Sequence, residues 1–399
     1  VENFDTDWFR KHHEKAFADL GKRYTPETSV DLPLRRNLRA LGRDQFFNDQ
    51  IKIYIKDIEG SLYRAISSID RLAEKSAVET PSDDLKRDVE NLLNRMKGIP
   101  VAPNQDFPLA EYKNLGHEAY QQARSMFSWS HRQTPKKDEK DTLDVSSSAR
   151  HYTGELMSKL DDFHDELYED HWRLINSNKL LVFGQGGQGK SHLLADSANY
   201  LLEKDCPSIL LLGSKFNDGD LWTQILQELD LPNHYRAKDF LGALDASAQA
   251  LNSRAIIHVD ALNERNGLSI WPHRLSGFLK EIEEFPYVAV VLSCRTTYLK
   301  SIIPDNLDAE TLPRIEHSGF SSNEARFYLS KRGFILPGSP NLMPEFTNPL
   351  FLKTCCDALE KNGEKRFPKG LNGVTKVFDF YNSAVVNALN ERMKLEPKR

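Results

Sequence analysis

Residues 180–194 read LLVFGQGGQGKSHLL: an apolar run, four glycines crowded into six positions, and then Lys190 and Ser191 opening a second apolar stretch. Glycine at that density weakens a strand or a helix, so this backbone is kept free for another purpose. The spacing Gly184-x-x-x-x-Gly189-Lys190-Ser191, after an apolar strand and before a helix, is that of a phosphate-binding loop, the Walker A motif. Gly184, Gly186, Gly187 and Gly189 let the backbone N–H groups of the loop, that of Gln188 among them, turn inward on phosphate oxygens without glycine Cβ clashes. The helix that starts at Lys190 and runs through His192 adds its positive N-terminal end. In such a loop the lysine, here Lys190, reaches the β- and γ-phosphates, and the hydroxyl of Ser191 ligates Mg2+.

Outward from this loop the texture alternates. The runs KLLVFG, SILLLG, RAIIHVDA and YVAVVLSC are short, apolar and bounded by Gly, Asp or Ser, as buried parallel strands are, with helices as crossovers; RIEHSGF is a weaker fifth strand. Before residue 175 the chain reads as helical. Leu85, Val89, Leu92, Leu93 and Met96 fall on one helix face that stops at Gly98 and Pro100, and Leu156, Leu160, Phe163 and Leu167 form another. The polar stretch TPKKDEKDTLDVSSS between them reads as a mobile loop. Beyond 320 the helical pattern returns in SSNEARFYLSKRG, NPLFLKTCCDALEKNG and VTKVFDFYNSAVVNALNERM. The expected fold is thus an α/β P-loop core, a parallel five-stranded sheet with helices on both faces, flanked by N- and C-terminal helical domains. The expected boundaries are 1–175, 176–318 and 319–399.

A P-loop needs a second element, an apolar strand ending in an acid that handles Mg2+. AIIHVDALNE supplies Asp260, seventy residues after Lys190, and Glu264 four positions later is placed to polarise an attacking water. A third strand end, VVLSCRTTY, carries Arg295, a cation suited to γ-phosphate charge. Each has an ordinary alternative: a strand-end turn residue for Asp260, a surface glutamate for Glu264, a salt-bridged loop arginine for Arg295. The strings SNKLLV and VTKVFD lack the correctly spaced aspartate of a guanine-binding motif, which favours ATP over GTP.

Composition bounds the rest. Charged residues make up 28% of the chain against 39% hydrophobic, the profile of a globular protein, and no run approaches a membrane span. A formal charge of −5 gives no global reason to expect nucleic acid as a partner. Arg35, Arg36, Arg39 and Arg43 cluster in LRRNLRALGR, read as a solvated helix face with a phosphate-contacting surface as the alternative. Four cysteines without CxxC spacing fit a reducing, cytoplasmic setting. The start at Val1 reads as an excerpt or a processed product. His164 and His171 read as one solvated helix face rather than metal ligands, His117-Glu118 lacks the second histidine of a zinc protease motif, Cys355-Cys356 read as helix core, and FSWSHR around Trp129 as bundle packing.

Taken together, LLVFGQGGQGKSHLL, IIHVDALNE, LSCRTTY and the pair GFSSNEARFYLSKRGF and FTNPLFLKTCC resemble the STAND class of P-loop ATPases. The resemblance is to its NACHT-like members, closest to bacterial antiviral ones. GKRYTPETSVDLPL also resembles a segment that precedes the ATPase in some bacterial defence proteins. One departure is Asn263 before Glu264, where many NACHT proteins carry two adjacent acids. The resemblance implies that Pro349 packs near adenine and that ATP/ADP exchange with Mg2+ and slow hydrolysis govern homo-oligomerisation. It also implies a pathogen-derived trigger and an effector that both lie outside this chain. A nucleic-acid-dependent or motor-like ATPase, or an ATP-binding scaffold with negligible hydrolysis, are the other functions these motifs admit.

Overall fold

The computed structural model describes residues 5–79, 82–98, 102–133, 140–335 and 344–367, together with 379, 381–383 and 385–386. Helices come first: α1 (Thr6–Leu20), α2 (Leu34–Gly42), α3 (Gln45–Ser76), α4 (Ser82–Lys97), α5 (Leu109–Arg132), α6 (Lys140–Glu166) and the short α7 (Asp170–Leu174). The α/β part follows as β1 (Lys179–Gly184), α8 (Lys190–Glu203), β2 (Ser208–Leu212), α9 (Leu221–Glu228), α10 (Ala237–Ala250), β3 (Ala255–Asp260), α11 (Gly267–Glu283), β4 (Val288–Arg295), α12 (Leu299–Ile302) and β5 (Arg314–Glu316). Helices α13 (Ser322–Lys331) and α14 (Pro349–Lys361) complete it. The contacts divide the chain into two units. One comprises Val1–Arg35, Lys179–Ala248 and Ala255–Arg399; the other comprises Arg36–Asn178 and Gln249–Arg254.

The second unit is a helical bundle of α3, α4, α5 and α6. Its core takes Leu85, Val89, Leu92, Leu93 and Met96 from α4 and Leu156, Leu160 and Phe163 from α6, the faces that the 3.6-residue period marks out. Asp44 caps α3 by accepting from the Phe47 N–H at 2.8 Å. The loop expected over residues 134–148 is corrected in its second half, because α6 already begins at Lys140; residues 134–139 lie outside the described positions. Ser146, Ala149 and Thr153 are buried and continue the face of Leu156 and Leu160. Ser, Ala and Thr carry little hydropathic signal, yet their small size lets neighbouring helices approach. Trp129 packs against this core and Cys355 and Cys356 are buried in the C-terminal helices, as expected. Among the described residues no group of three or more His, Cys, Asp or Glu could hold a metal. The solvated face expected to carry both His164 and His171 is corrected: they lie on α6 and α7, and His171 is buried with its Nε2 3.1 Å from Glu166.

The first unit contains the sheet, wholly parallel, in the order β2-β3-β4-β1-β5. Its strands are buried along nearly their whole length, which is why they read as unbroken apolar runs rather than alternating ones. From β1 the chain enters α8, which packs across β1, β4, β3 and β2 before β2 takes the far edge. The register sets Gly184 of β1 opposite Arg295 of β4, and Asp260 of β3 opposite Leu212 of β2. Three sequence-marked positions therefore lie along one carboxyl edge, where ligands of such sheets gather. Helix α1 joins this unit by packing on β2, where His12 and His13 each place Nε2 on a strand carbonyl, of Leu210 at 3.1 Å and Ser208 at 2.9 Å.

Downstream, Ser321 and Glu324 form a capping box on α13, and Asn348 caps α14 with Pro349 in its first turn. The two helices share a core that also receives Val30 from the N-terminal segment. Most of the last expected helix, 374–393, falls outside the described residues. Among the described residues no helix is long and apolar enough to cross a membrane.

Candidate nucleotide-binding site

Helix α8 begins without a side-chain cap; its N-cap position is Gly189, at φ 93°. Its first N–H groups therefore point into the space above the loop with their partial positive charge unspent. Position 189 favours glycine because its φ lies in the left-handed region. At Gly184 the reason is distance: a Cβ would come within 2.3 Å of the His317 carbonyl oxygen. The loop thus wraps tightly against the chain that leaves β5, held by the His317 N–H donating to the Phe183 carbonyl at 2.7 Å.

Lys190 is buried, and its Nζ donates to the carbonyls of Gly184 and Gln185, both at 2.8 Å. Burial lowers its pKa; the Asp260 carboxylate opposes that shift and Arg295 reinforces it. Asp260 is 1% exposed, and its Oδ1 accepts from Ser293 Oγ at 2.6 Å. Ser293 Oγ also accepts from the Ala261 N–H at 2.7 Å, so one hydroxyl on β4 fixes both the acid and the turn after it. Ser293 carries no motif of its own in the sequence; only the pairing of β3 with β4 reveals it. Asn263, at the departure from the double-acid pattern, accepts the Arg295 N–H at 2.9 Å through its Oδ1 and so ties the Glu264 loop to the end of β4. The Arg295 guanidinium lies beside Gly186. Burial pushes the neighbouring Cys294 thiol up to about 12, so it remains a neutral thiol at physiological pH.

Lys190, Asp260, Asn263, Glu264, Ser293 and Arg295 line a cavity of about 270 Å3, together with Gly186, Gly187, Gln188, Gly189, Ser191, His192 and Pro349. Every sequence-marked site residue except Gly184, which lies beneath the loop, borders it. Four further features complete the walls; the sequence marked several of their segments but not their place at this cavity. His317 follows β5; its pKa is held down to about 4 by burial and by the charges of Lys190 and His192, leaving a neutral imidazole beside the loop. Phe320 and Tyr328 bring aromatic surface from the segment after β5 and from α13, while Leu350 and Lys353 come from α14. The Leu350 N–H donates to the Gly187 carbonyl at 3.0 Å, a direct bond between α14 and the phosphate loop. Finally a strap, residues 22–32, closes one side with Lys22, Arg23, Thr25, Thr28, Val30 and Leu32. It lies along α8: the Tyr24 ring is 5.2 Å from that of His192, Ser29 Oγ donates to Asp196 at 2.7 Å, and Arg35 is ion-paired with the same carboxylate. Within the strap, Arg23 Nη1 meets Glu264 Oε1 at 3.1 Å.

The arginine cluster disperses and forms no common surface. Arg35 holds Asp196, Arg36 approaches Glu166 at 3.9 Å, Arg39 lies over the Phe46 ring at 4.0 Å, and Arg43 is buried. A solvated face therefore describes only part of it.

The donor set fits a nucleoside triphosphate with Mg2+. An uncapped helix end, a glycine loop that a Cβ would obstruct, and a buried ammonium suit the phosphates, and the Asp260 carboxylate with the Ser191 hydroxyl suits a hard cation. No family model and no curated protein matches the chain. Among solved structures the fold is similar to that of Cdc6p from Pyrobaculum aerophilum, at 15% identity over 47% of this chain and 57% of that one, TM-score 0.31. It is also similar to Orc1 of Aeropyrum pernix in complex with DNA, at 13% identity over 55% and 63%, TM-score 0.34. A third is PCH-2 of C. elegans, at 15% identity over 55% and 64%, TM-score 0.28. The chain spans less than two thirds of the length of each. The reading of the site rests on the chain's own residues.

Proposed function

We propose that the chain is an Mg2+-dependent ATPase that acts as a signalling switch, of the STAND, NACHT-like kind that serves bacterial antiviral defence. The observation that carries this is the bond from Leu350 of α14 to Gly187 of the phosphate loop. Through it, with Pro349, Lys353, Phe320 and Tyr328 around the same cavity, the nucleotide site is shared between the sheet and the helices that follow it. A γ-phosphate that binds one arrangement of those helices better than another shifts the population between them. Strap residues Thr25, Thr28, Val30 and Leu32 with Tyr328 and Pro349 supply the apolar end for adenine, and residues 184–192 the phosphate end. The domain limits at 175 and 318 belong to this proposal, as do homo-oligomerisation on activation, a pathogen-derived trigger, an outside effector and a cytoplasmic setting.

Hydrolysis in this site assigns each residue one task. A water oxygen bonds to the γ-phosphorus while the bond from phosphorus to the bridging oxygen breaks, its electron pair leaving with ADP; the water proton goes to the Glu264 carboxylate. Lys190 and Arg295 balance charge on the transferred group. Ser191 and Asp260 would hold Mg2+, which when bound would further neutralise the phosphate oxygens.

The test is the nucleotide that copurifies with the protein, followed by sizing of Glu264→Gln with ATP and with ADP. Bound ADP in the wild-type chain, and a larger species for Glu264→Gln in ATP alone, are expected. A permanently empty site, or turnover stimulated by DNA, would replace the switch with a freely cycling or nucleic-acid-driven enzyme.

A further inference from the structure

We infer that Arg23 is a positioning residue for Glu264: a guanidinium delivered by the N-terminal strap, 241 residues away in sequence, that sets the direction of the carboxylate which takes the proton. The inference rests on the ATPase reading above. Its first support is the fixed placement of Arg23. Upstream, α1 is pinned to β2 through His12 and His13, and Asp19 near its end pairs with Lys215 at 2.7 Å. Downstream, Tyr24 is buried with its ring 4.7 Å from that of Phe17, and the Thr25 N–H donates to His192 Nδ1 at 3.4 Å. The chain on either side of Arg23 is thus tied to the sheet edge and to the helix of the phosphate loop.

The second support is the contrast between the backbone and the side chain of Glu264. Its loop is secured by the Leu262 N–H on the Ser293 carbonyl at 2.8 Å and by Asn263 on Arg295. Ala261 and Arg265 flank it at positive φ, which turns the loop tightly. Beyond that fixed backbone the glutamate has three rotatable bonds, and the ion pair with Arg23 is what orients its tip. The pair is partly solvated, with the two side chains 40% and 28% exposed, so it contributes little to folding. Its consequence is geometric. A carboxylate has two acceptor oxygens, and a guanidinium on Oε1 leaves Oε2 to receive a proton.

Single-turnover hydrolysis by the full chain, with ATP affinity and thermal unfolding measured on the same samples, tests this. Arg23→Ala should lower the rate of the chemical step about 10- to 100-fold, the scale of a misplaced catalytic group, while ATP affinity and melting temperature stay near wild type. Arg23→Lys, which keeps the charge but not the planar fork, should recover part of the loss. In a Glu264→Gln background Arg23→Ala should cost nothing further, because a positioning residue has nothing left to position. A neutral or faster Arg23→Ala, or losses that multiply in the double variant, overturns the inference; faster turnover would make the pair a brake. Wild-type turnover of Arg23→Ala beside an inactive Glu264→Gln removes this inference alone, whereas a wild-type chain that never hydrolyses ATP removes the ATPase reading and this with it.

Discussion

Lys190 in the α/β unit and Arg254 in the helical unit are both buried cations, at 8% and 4% exposure, and they are held in opposite ways. Arg254 donates to the carbonyls of Leu41, Ile175, Ser177 and Pro103, and beside it Arg43 donates to Ile175, Ala102 and Asn176. Burial, reinforced by Arg43, lowers the Arg254 pKa to about 9. These four bonds run to backbone carbonyls at the end of α2, between α4 and α5, and after α7. Lys190 also donates to two carbonyls, but it does so at the wall of a cavity, next to an uncapped helix end and a buried carboxylate. A buried cation therefore marks function only where its surroundings leave room for an anion to replace the partners it has.

The sharpest way to break that contrast is to exchange the outcomes. Lys190→Ala should weaken ATP binding by at least about 100-fold, the scale of a lost charge-assisted contact in a dry site, with no loss of folding stability; calorimetric titration reads this, and retained micromolar affinity would sink the phosphate-loop assignment. Acid should separate the two units next. His12, His13, His258 and His317, all in the α/β unit, have folded pKa values depressed from 6.5 to about 3, 4, 3 and 4, chiefly by burial. The unfolded chain then binds more protons than the folded one between those values, so stability is full above pH 6.5 and is lost as pH falls toward 4. The loss is up to about 1.4 kcal/mol per pH unit for each histidine. In the helical unit Glu166 is depressed, first by its hydrogen bond to His171, so its stabilisation is lost only below the ordinary carboxylate range. Hydrogen exchange between pH 7 and 4 should show the α/β unit opening first; simultaneous opening would refute the assignment of the buried histidines.

Arg254→Met should cost the helical unit about 3 kcal/mol or more, because several carbonyls lose a charged donor at once, yet leave ATP affinity unchanged. Urea unfolding and nucleotide titration on the same variant decide this. Smallest is Asn348→Ala, which removes the cap on α14, where Oδ1 accepts from the Phe351 N–H at 3.0 Å. It should cost about 1 kcal/mol and loosen nucleotide binding slightly through Leu350; a stability loss with no change in nucleotide affinity would uncouple α14 from the site.

The units also differ in how legible they were. In the bundle, Leu85, Val89, Leu92, Leu93 and Met96 announced their helix face, whereas Ser146, Ala149 and Thr153 did not, because small residues bury by closeness rather than hydropathy. In the α/β unit the glycine spacing around Lys190 and the strand-end acids at Asp260 and Glu264 are local signals, since a phosphate loop and its partner strand each impose their chemistry on adjacent residues. Ser293, His317 and Arg23 gave no such signal. Ser293 matters because β4 lies beside β3, His317 because β5 lies beside β1, and Arg23 because α1 docks on β2.

By itself, then, the sequence determined the order of elements, the phosphate loop and the acids of a P-loop core, all properties of residues within a few positions of one another. Only the tertiary structure decided what surrounds them: the strap along α8, the bond from α14 to the loop, and the arginine on the glutamate. Those contacts join residues up to 241 positions apart, and strand order and helix docking, which no local pattern encodes, bring them together.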